Sequence, residues 1–308
     1  MLERLQVGSQ EKSQQEKLQE ACAPRRRALS WVSRFAEPRI LLGGGFLCFL
    51  LVVAVAAPVL APKDPLEQDL VSSLLAPASL GGSDPSFLLG ADDLGRDVLS
   101  RLIYGSQTAL FVAVVAASLA CIIGATLGLL AGWYRGVVDV AISRLVEIWM
   151  AFPPVLLSIL LVAVLGSGLH SVIAAIVIID WTRFCRVVRA ETMSQAAKDY
   201  VTAARTVGFS RFVILAREIL PNVVPIIITL LSLEMGIAVI VEAILSFVGL
   251  SVSSDVPTWG GMIAQGRQIL HEGWWVFAAP LAALFATVLA FNILGEGLQR
   301  ALDPVRQR

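Results

Sequence analysis

Uncharged runs long enough to cross a bilayer constrain this chain more than any other feature. Ile40 to Leu60 holds twenty-one residues without a charge, and a hydrocarbon core takes about 20 apolar residues as one helix. Thirty-three uncharged residues separate Arg101 from Arg135, Ile148 to Ile179 holds thirty-two, and Gly273 to Gly295 holds twenty-three. Val223 to Leu250 is apolar except for Glu234 and Glu242. Lipid offers no partner to a free N–H or C=O, so runs of this length fold as helices. The whole chain is 56% hydrophobic and 16% charged, against about 25% charged in soluble domains. That excludes disorder and most soluble folds. Basic and acidic residues are equal in number, twenty-four of each, which excludes a basic nucleic-acid binder.

Charge distribution settles the topology. The thirty-two-residue run is long for one helix and short for two, and Gly166-Ser-Gly168 can turn it. Two helices there give six spans with both termini on one side. Twenty of the Lys and Arg residues then share that side, and only Lys63, Arg96, Arg101 and Arg267 lie opposite. One helix would send the seven cations between Arg183 and Arg217 outward, against the positive-inside rule. The reading is therefore an all-α, multi-pass membrane protein with both termini cytoplasmic. Its parts are a tail over 1–39, a first span over 40–60 and an external segment over 61–105. A core of five spans follows over 106–298, with an external segment over 251–272, and a tail over 299–308. The second span is expected near Thr108 to Leu130, with Trp133 and Tyr134 at its interface. The end of the first run, Ala54 to Ala57, faintly resembles a signal-peptidase site, but a leader of some forty residues and Pro58 favour an uncleaved span. Arg25-Arg26-Arg27 reads as a basic cluster that anchors the tail on membrane lipid.

Several local expectations follow. Pro153-Pro154 should kink the third span. Gly124, Gly128 and Gly132 form a small-residue face for close packing, within the chain or against a partner. Trp149, Trp181, Trp259, Trp274 and Trp275 read as interface anchors. Thr258 should cap a short helix, and Asp92-Asp93 reads as an acidic helix cap. Four cysteines without CxxC spacing read as small buried hydrophobes. No HExxH or GxSxG pattern and only two histidines leave no support for a catalytic metal or a hydrolase. None of the four lysines follows a glycine, so the chain has no P-loop and no ATP site of its own.

The loop from Arg183 to Pro221 is unusually long and mixes apolar residues with regular charges. Val201, Ala204, Val207 and Phe209 suggest a helix face, Gly208 a break, and Arg211 to Ile219 a second helix ending at Pro221. An amphipathic hairpin resting on headgroups is one reading. The small pair Ala203-Ala204 before Gly208 suits close docking of another protein. Thr202-Ala203-Ala204, Gly208 and Leu220-Pro221 stand at the spacing of the EAA loop, here 190–221, and the chain resembles the ABC-importer permeases that carry it. Thr202 occupies the usual Glu position, and Glu218 one that is often aliphatic. The external stretch from Leu89 to Gly105, with Asp92, Asp93, Gly95, Arg96 and Asp97, looks like that of the DppC/OppC branch. Ala151-Phe-Pro153, Glu242 to Leu250, Pro257-Thr-Trp259-Gly260, Ala290 to Gly295 and Ala301 to Pro304 extend the likeness.

The resemblance implies a type I ABC-importer permease fold in a bacterial cytoplasmic (inner) membrane. It implies a heterodimer with a second, homologous permease subunit, two ABC ATPase subunits that hold ATP and Mg, and a periplasmic or extracellular solute-binding protein. No cofactor would be bound by this chain and no nucleic acid would be a partner. Di- or oligopeptides are the implied solute, with nickel or a metal chelate as the alternative. Asp180, Glu234, Glu242 and Pro153 are the candidates for cavity lining or gating, since ionisable groups inside spans are expensive. For the carboxylates the other reading is structural, each bonded to a neighbouring helix, with Arg183 or Arg186 in reach of Asp180. An ion-driven secondary transporter using Glu234 and Glu242 is a different class, but no internal repeat of that kind is visible.

Overall fold

A computed structural model describes residues 37–80, 84–251 and 256–302. The Arg25–Arg27 cluster, Cys22 and Asp303-Pro304 lie outside these. The described chain is helical, with no strand and a single isolated bridge between Ala91 and Asp97. We number the main helices α1 (Pro38–Val55), α2 (Val98–Tyr134), α3 (Gly136–Met150), α4 (Pro154–Leu165) and α5 (Leu169–Ala196). Then come α6 (Asp199–Thr206), α7 (Arg211–Ile214), α8 (Leu220–Phe247), α9 (Trp259–Gln268) and α10 (Trp274–Leu302).

Four helical stretches are long and apolar enough to cross a membrane: α1, α2, Arg211–Phe247 and α10. The pair α3 and α4 qualifies jointly but bends by 86° at its break. Helix α5 has 28 residues but carries Asp180, Arg183, Arg186, Arg189 and Glu191, so it falls short on composition rather than length.

The helix that holds the expected second span, Thr108 to Leu130, extends beyond it at both ends, from Val98 to Tyr134. Asp97 caps its start, its carboxylate accepting from the Ser100 amide at 2.7 Å. The prolines at 153 and 154 separate two helices rather than kinking one. Pro153 is extended, at φ −60° and ψ 121°, and Pro154 occupies the first helical position, where its missing N–H costs nothing. Pro221 does not end a helix. The backbone widens into a π turn over Leu215–Ile219 and continues into α8, with the Leu220 amide bonding back to the Leu215 carbonyl. That widening relieves the clash a proline ring would make with the carbonyl four residues earlier.

Most of the tryptophans are core residues rather than interface anchors. Trp259 is buried and its indole N–H donates to the Leu102 carbonyl at 3.0 Å; Trp275 donates to the Ala91 carbonyl at 3.1 Å. Trp149 donates to the Ile178 carbonyl at 2.5 Å, Trp181 is buried, and Trp274 is exposed. An indole inside the fold needs an acceptor, and loop or helix carbonyls supply it.

Gly124, Gly128 and Gly132 pack within the chain, along α5. A Cβ at Gly128 would lie 2.7 Å from the Cys185 carbonyl, and one at Gly132 2.7 Å from Thr192 Cβ. The next contact of this seam is Gly124 against the Trp181 carbonyl and Phe184. Gly43 brings α1 against α10 in the same way, near Ala290 and Leu294. Small residues thus set helix separation where no hydrophobic drive acts between spans. Gly128→Val should lower the thermal midpoint of the purified protein by at least about 5 °C, as overpacking does. Gly45→Ala, where nothing lies within 4 Å, should leave it unchanged.

Candidate functional site

The turn after α6 is built by its sequence. Asp199–Thr206 closes with a paired C-terminal cap: the Gly208 amide donates to the Arg205 carbonyl at 3.0 Å and the Phe209 amide to the Ala204 carbonyl at 3.2 Å. This double bond pattern requires a left-handed residue, and Gly208 supplies it at φ +91°. Ser210 then caps α7 through the Val213 amide. Val201, Ala204, Ile214 and Ile219 turn inward onto Trp133 and Val188, fixing the turn on the ends of α2 and α5. Thr202 and Ala203 face outward with Gly208, and the tip exposes Val207, Phe209 and Phe212. Ala204 is buried, so of the small pair only Ala203 is open to a partner. Leu220 and Pro221 lie at the start of α8, Pro221 exposed. The Tyr200 phenol donates to Gln195, and burial pushes its pKa up, with the Glu218 carboxylate adding to the effect.

The helix–glycine–helix turn thus carries an exposed apolar tip. Sequence reading missed Val207, Phe209 and Phe212 as an outward group, because a helical face of Val201, Ala204, Val207 and Phe209 predicts one common side. The glycine turn divides that face in two.

At the opposite end, Asp92 organises a buried ion cluster rather than capping a helix. One of its oxygens accepts from the Leu94 and Arg96 amides, each at 2.9 Å, and the other from Arg96 Nε at 2.8 Å and from Arg101. Arg96 and Arg101 are both buried, and Asp93 is exposed. Gly95, at φ +73°, lets the loop close against the Asp69 carbonyl, where a Cβ would collide. Trp259 and Gly260 lie above it in α9, Gly260 against Ala243 and Ser246 of α8. Thr258 caps α9 through the Gly261 amide at 3.1 Å. Beside the cluster, the Asp69 carboxylate accepts from Ser72, which holds its pKa below the usual carboxylate value.

The three candidate carboxylates are buried; Asp180 and Glu234 lie near each other around Arg183, whereas Glu242 and Pro153 belong to other surroundings. Glu234 faces Arg183 across α5 and α8, with both oxygens 3.5 Å from one guanidinium nitrogen. Glu242 accepts from Ser246 at 2.6 Å and from Ser251 at 3.4 Å. Asp180 is buried on α5, one turn before the arginine that pairs with Glu234. Pro153 stands at the exposed break between α3 and α4. A pair not foreseen, Arg189 with Asp139, ties α3 to α5; its second bond, from Nη2, is 2.8 Å. Among the described residues no group of three or more His, Cys, Asp or Glu side chains could hold a metal ion.

Asp92→Asn removes the buried carboxylate that pairs directly with two adjacent buried guanidiniums. It should destabilise the protein by about 3–5 kcal/mol, read as a lowered unfolding midpoint. Asp93→Asn should change it by less than about 0.5 kcal/mol.

Comparison with known proteins bears on these features. A family profile described as "Binding-protein-dependent transport system inner membrane component" matches residues 124–308. The dipeptide transport system permease protein DppC of Haemophilus influenzae is 36% identical over 264 residues, covering 86% of this chain and 90% of that protein. The di/tripeptide transport system permease protein DppC of Pseudomonas aeruginosa is 40% identical over 263 residues, covering 85% and 87%. The glutathione transport system permease protein GsiD of Pectobacterium atrosepticum is 36% identical over 275 residues, covering 88% and 89%. Among solved structures, a chain of the MetNI methionine ABC transporter in an inward-facing conformation aligns with a TM-score of 0.56 at 20% identity, over 67% of this chain and 97% of that one. That likeness is one of fold. With an all-helical fold and apolar spans, the chain belongs to the family of binding-protein-dependent transport system inner membrane components.

Proposed function

We propose that this chain is one of two homologous permease subunits of an ATP-driven importer, and that it carries di- or oligopeptides across the bacterial cytoplasmic membrane. The observation that carries the reading is the turn at Gly208, which presents Thr202, Ala203, Val207 and Phe209 outward on a fixed base. On this reading the turn seats in a cleft of an ATPase subunit, and Leu220 and Pro221 continue it into a span. ATP and Mg are held by two such ATPase subunits, which supply the energy this chain has no site to harvest. The names of the dipeptide and di/tripeptide relatives support the solute class.

Six spans and cytoplasmic termini fit the geometry. Helix α5 is about 42 Å long at 1.5 Å per residue, enough to cross with its charged last turns emerging in water. Two of its arginines are paired, Arg183 with Glu234 and Arg189 with Asp139, as costly charges inside a span favour. The buried cluster around Asp92, with Gly95, Arg96, Asp97, Trp259 and Gly260, stiffens the far end from within, and a solute-binding protein would dock on the exposed residues that cover it. Closure of the ATPase pair on ATP draws the two coupling turns together, and the spans exchange inward-open for outward-open arrangements. ATP acts by stabilising one of two states. Glu234 and Asp180 serve structure in this scheme, and the break at Pro153 is where α3 and α4 can change angle.

Deletion of Ala203 to Gly208 should abolish peptide uptake in reconstituted vesicles while the chain still inserts, and should uncouple ATP hydrolysis from transport. Coupled uptake that survives the deletion would sink the assignment.

A further inference from the structure

Three exposed arginines that form no close ion pair among the described residues line one cavity beside the turn. The space, about 520 Å³, is lined by Trp133, Arg135, Arg205, Phe209 and Arg211, with Ile214 at its wall. Each guanidinium comes from a different element. Arg135 follows the last residue of α2, Arg205 stands in the last turn of α6, and Arg211 opens α7. None of the three belongs to an ion pair among the described residues, and among the described residues no acid lines the cavity. Asp139, four residues from Arg135, feels its charge at longer range but gives its two close bonds to Arg189.

Two further features mark the space as unfinished. Trp133 is 7% exposed, and its indole N–H is buried without an acceptor. Arg205 lies over the same ring, 5.0 Å from its centroid. Arg135 adopts φ +55°, a left-handed conformation unfavourable for a residue with a side chain. A buried donor without an acceptor is costly.

We propose that this cavity binds phosphate, presented by the headgroup of an anionic phospholipid at the cytoplasmic surface. Arginine forks match phosphate oxygens in pairs, and basic pockets between helices on that side of a membrane are suited to anionic headgroups. A single carboxylate side chain would leave most of the volume and two guanidiniums unused. The aromatic and aliphatic walls, Trp133, Phe209 and Ile214, suit the apolar root of a lipid, and Trp133 with Tyr134 sits at interfacial residue types. Because Arg205 and Phe209 belong to the coupling turn, the lipid would brace that turn against the end of α2. The placement at the cytoplasmic surface rests on the function proposed above; the binding itself does not.

The test uses the full-length chain, purified in mild detergent and stripped of lipid, with binding read by native mass spectrometry. Phosphatidylglycerol should bind at least about tenfold more tightly than phosphatidylcholine. The variant R135Q/R205Q/R211Q should lose that preference, while R135K/R205K/R211K keeps most of it. Glycerol 3-phosphate and inorganic phosphate serve as competitors. If they displace phosphatidylglycerol at matched concentration, the phosphate site stands and its source is soluble. Equal binding of the two lipids by the unaltered chain, with no response to phosphate, would overturn the proposal without recourse to any variant. So would an undiminished preference in the glutamine variant. Failure of phosphate ligands combined with protection of the three arginines by the ATPase subunit would assign the cavity to an acidic side chain of that partner, also against the proposal. No transport is measured, so a failed coupling role and a failed phosphate site remain distinguishable.

Discussion

The seam between α2 and α5 is the contact on which the rest of this structure depends. Apolar side chains gain little by leaving lipid for one another, so helices in a bilayer are held by close approach. Glycines at 124, 128 and 132 allow that approach along much of the C-terminal half of α2, against Phe184, Cys185, Val188 and Thr192. Helix α5 is the polar member of the pair, and the seam places its arginines where they can be matched. Arg183 reaches Glu234 on α8, and Arg189 reaches Asp139 on α3. A helix too charged to cross alone becomes a hub for its neighbours.

The same seam delivers mechanical consequence to the turn. Helix α5 ends at Ala196 and α6 begins at Asp199, so little slack lies between the span and the turn. Val201, Ala204 and Ile214 rest on Trp133 and Val188, that is, on the lower ends of both partners. A force applied at Ala203 is therefore transmitted to two packed helices at once. The π turn at Leu215–Ile219 makes the other junction continuous, since α7 runs into α8 without a stop. At the other end of α2 Asp92 fixes Arg96 and Arg101, giving that end a stiff buried cluster.

Much of this was legible in the residues. Uncharged run lengths located the helices, the glycine pair at 166 and 168 marked a turn that the backbone makes with φ +90° and +153°, and Thr258 capped its helix. The glycine spacing announced a packing face but not which helix would fill it, because a small-residue stripe carries no address. The role of Asp92 was hidden for a related reason. Two acids ahead of a helix resemble a cap, yet Asp97 takes that role, and only the folded loop brings Arg96 and Arg101 onto Asp92. Pro221 read as a stop because a proline cannot continue an α ladder; the chain evades this by widening to π. Glu234 with Arg183 is a pair 51 positions apart, beyond any local pattern.

The most direct test of the account is the accessibility of the turn from each side of the membrane. Ala203→Cys, in a chain whose native cysteines are replaced by alanine, can be labelled with a membrane-impermeant thiol reagent. The account predicts labelling in inside-out vesicles, none in right-side-out vesicles, and protection when the ATPase subunit is bound. Labelling from the outside, or labelling that the ATPase leaves unchanged, would contradict it.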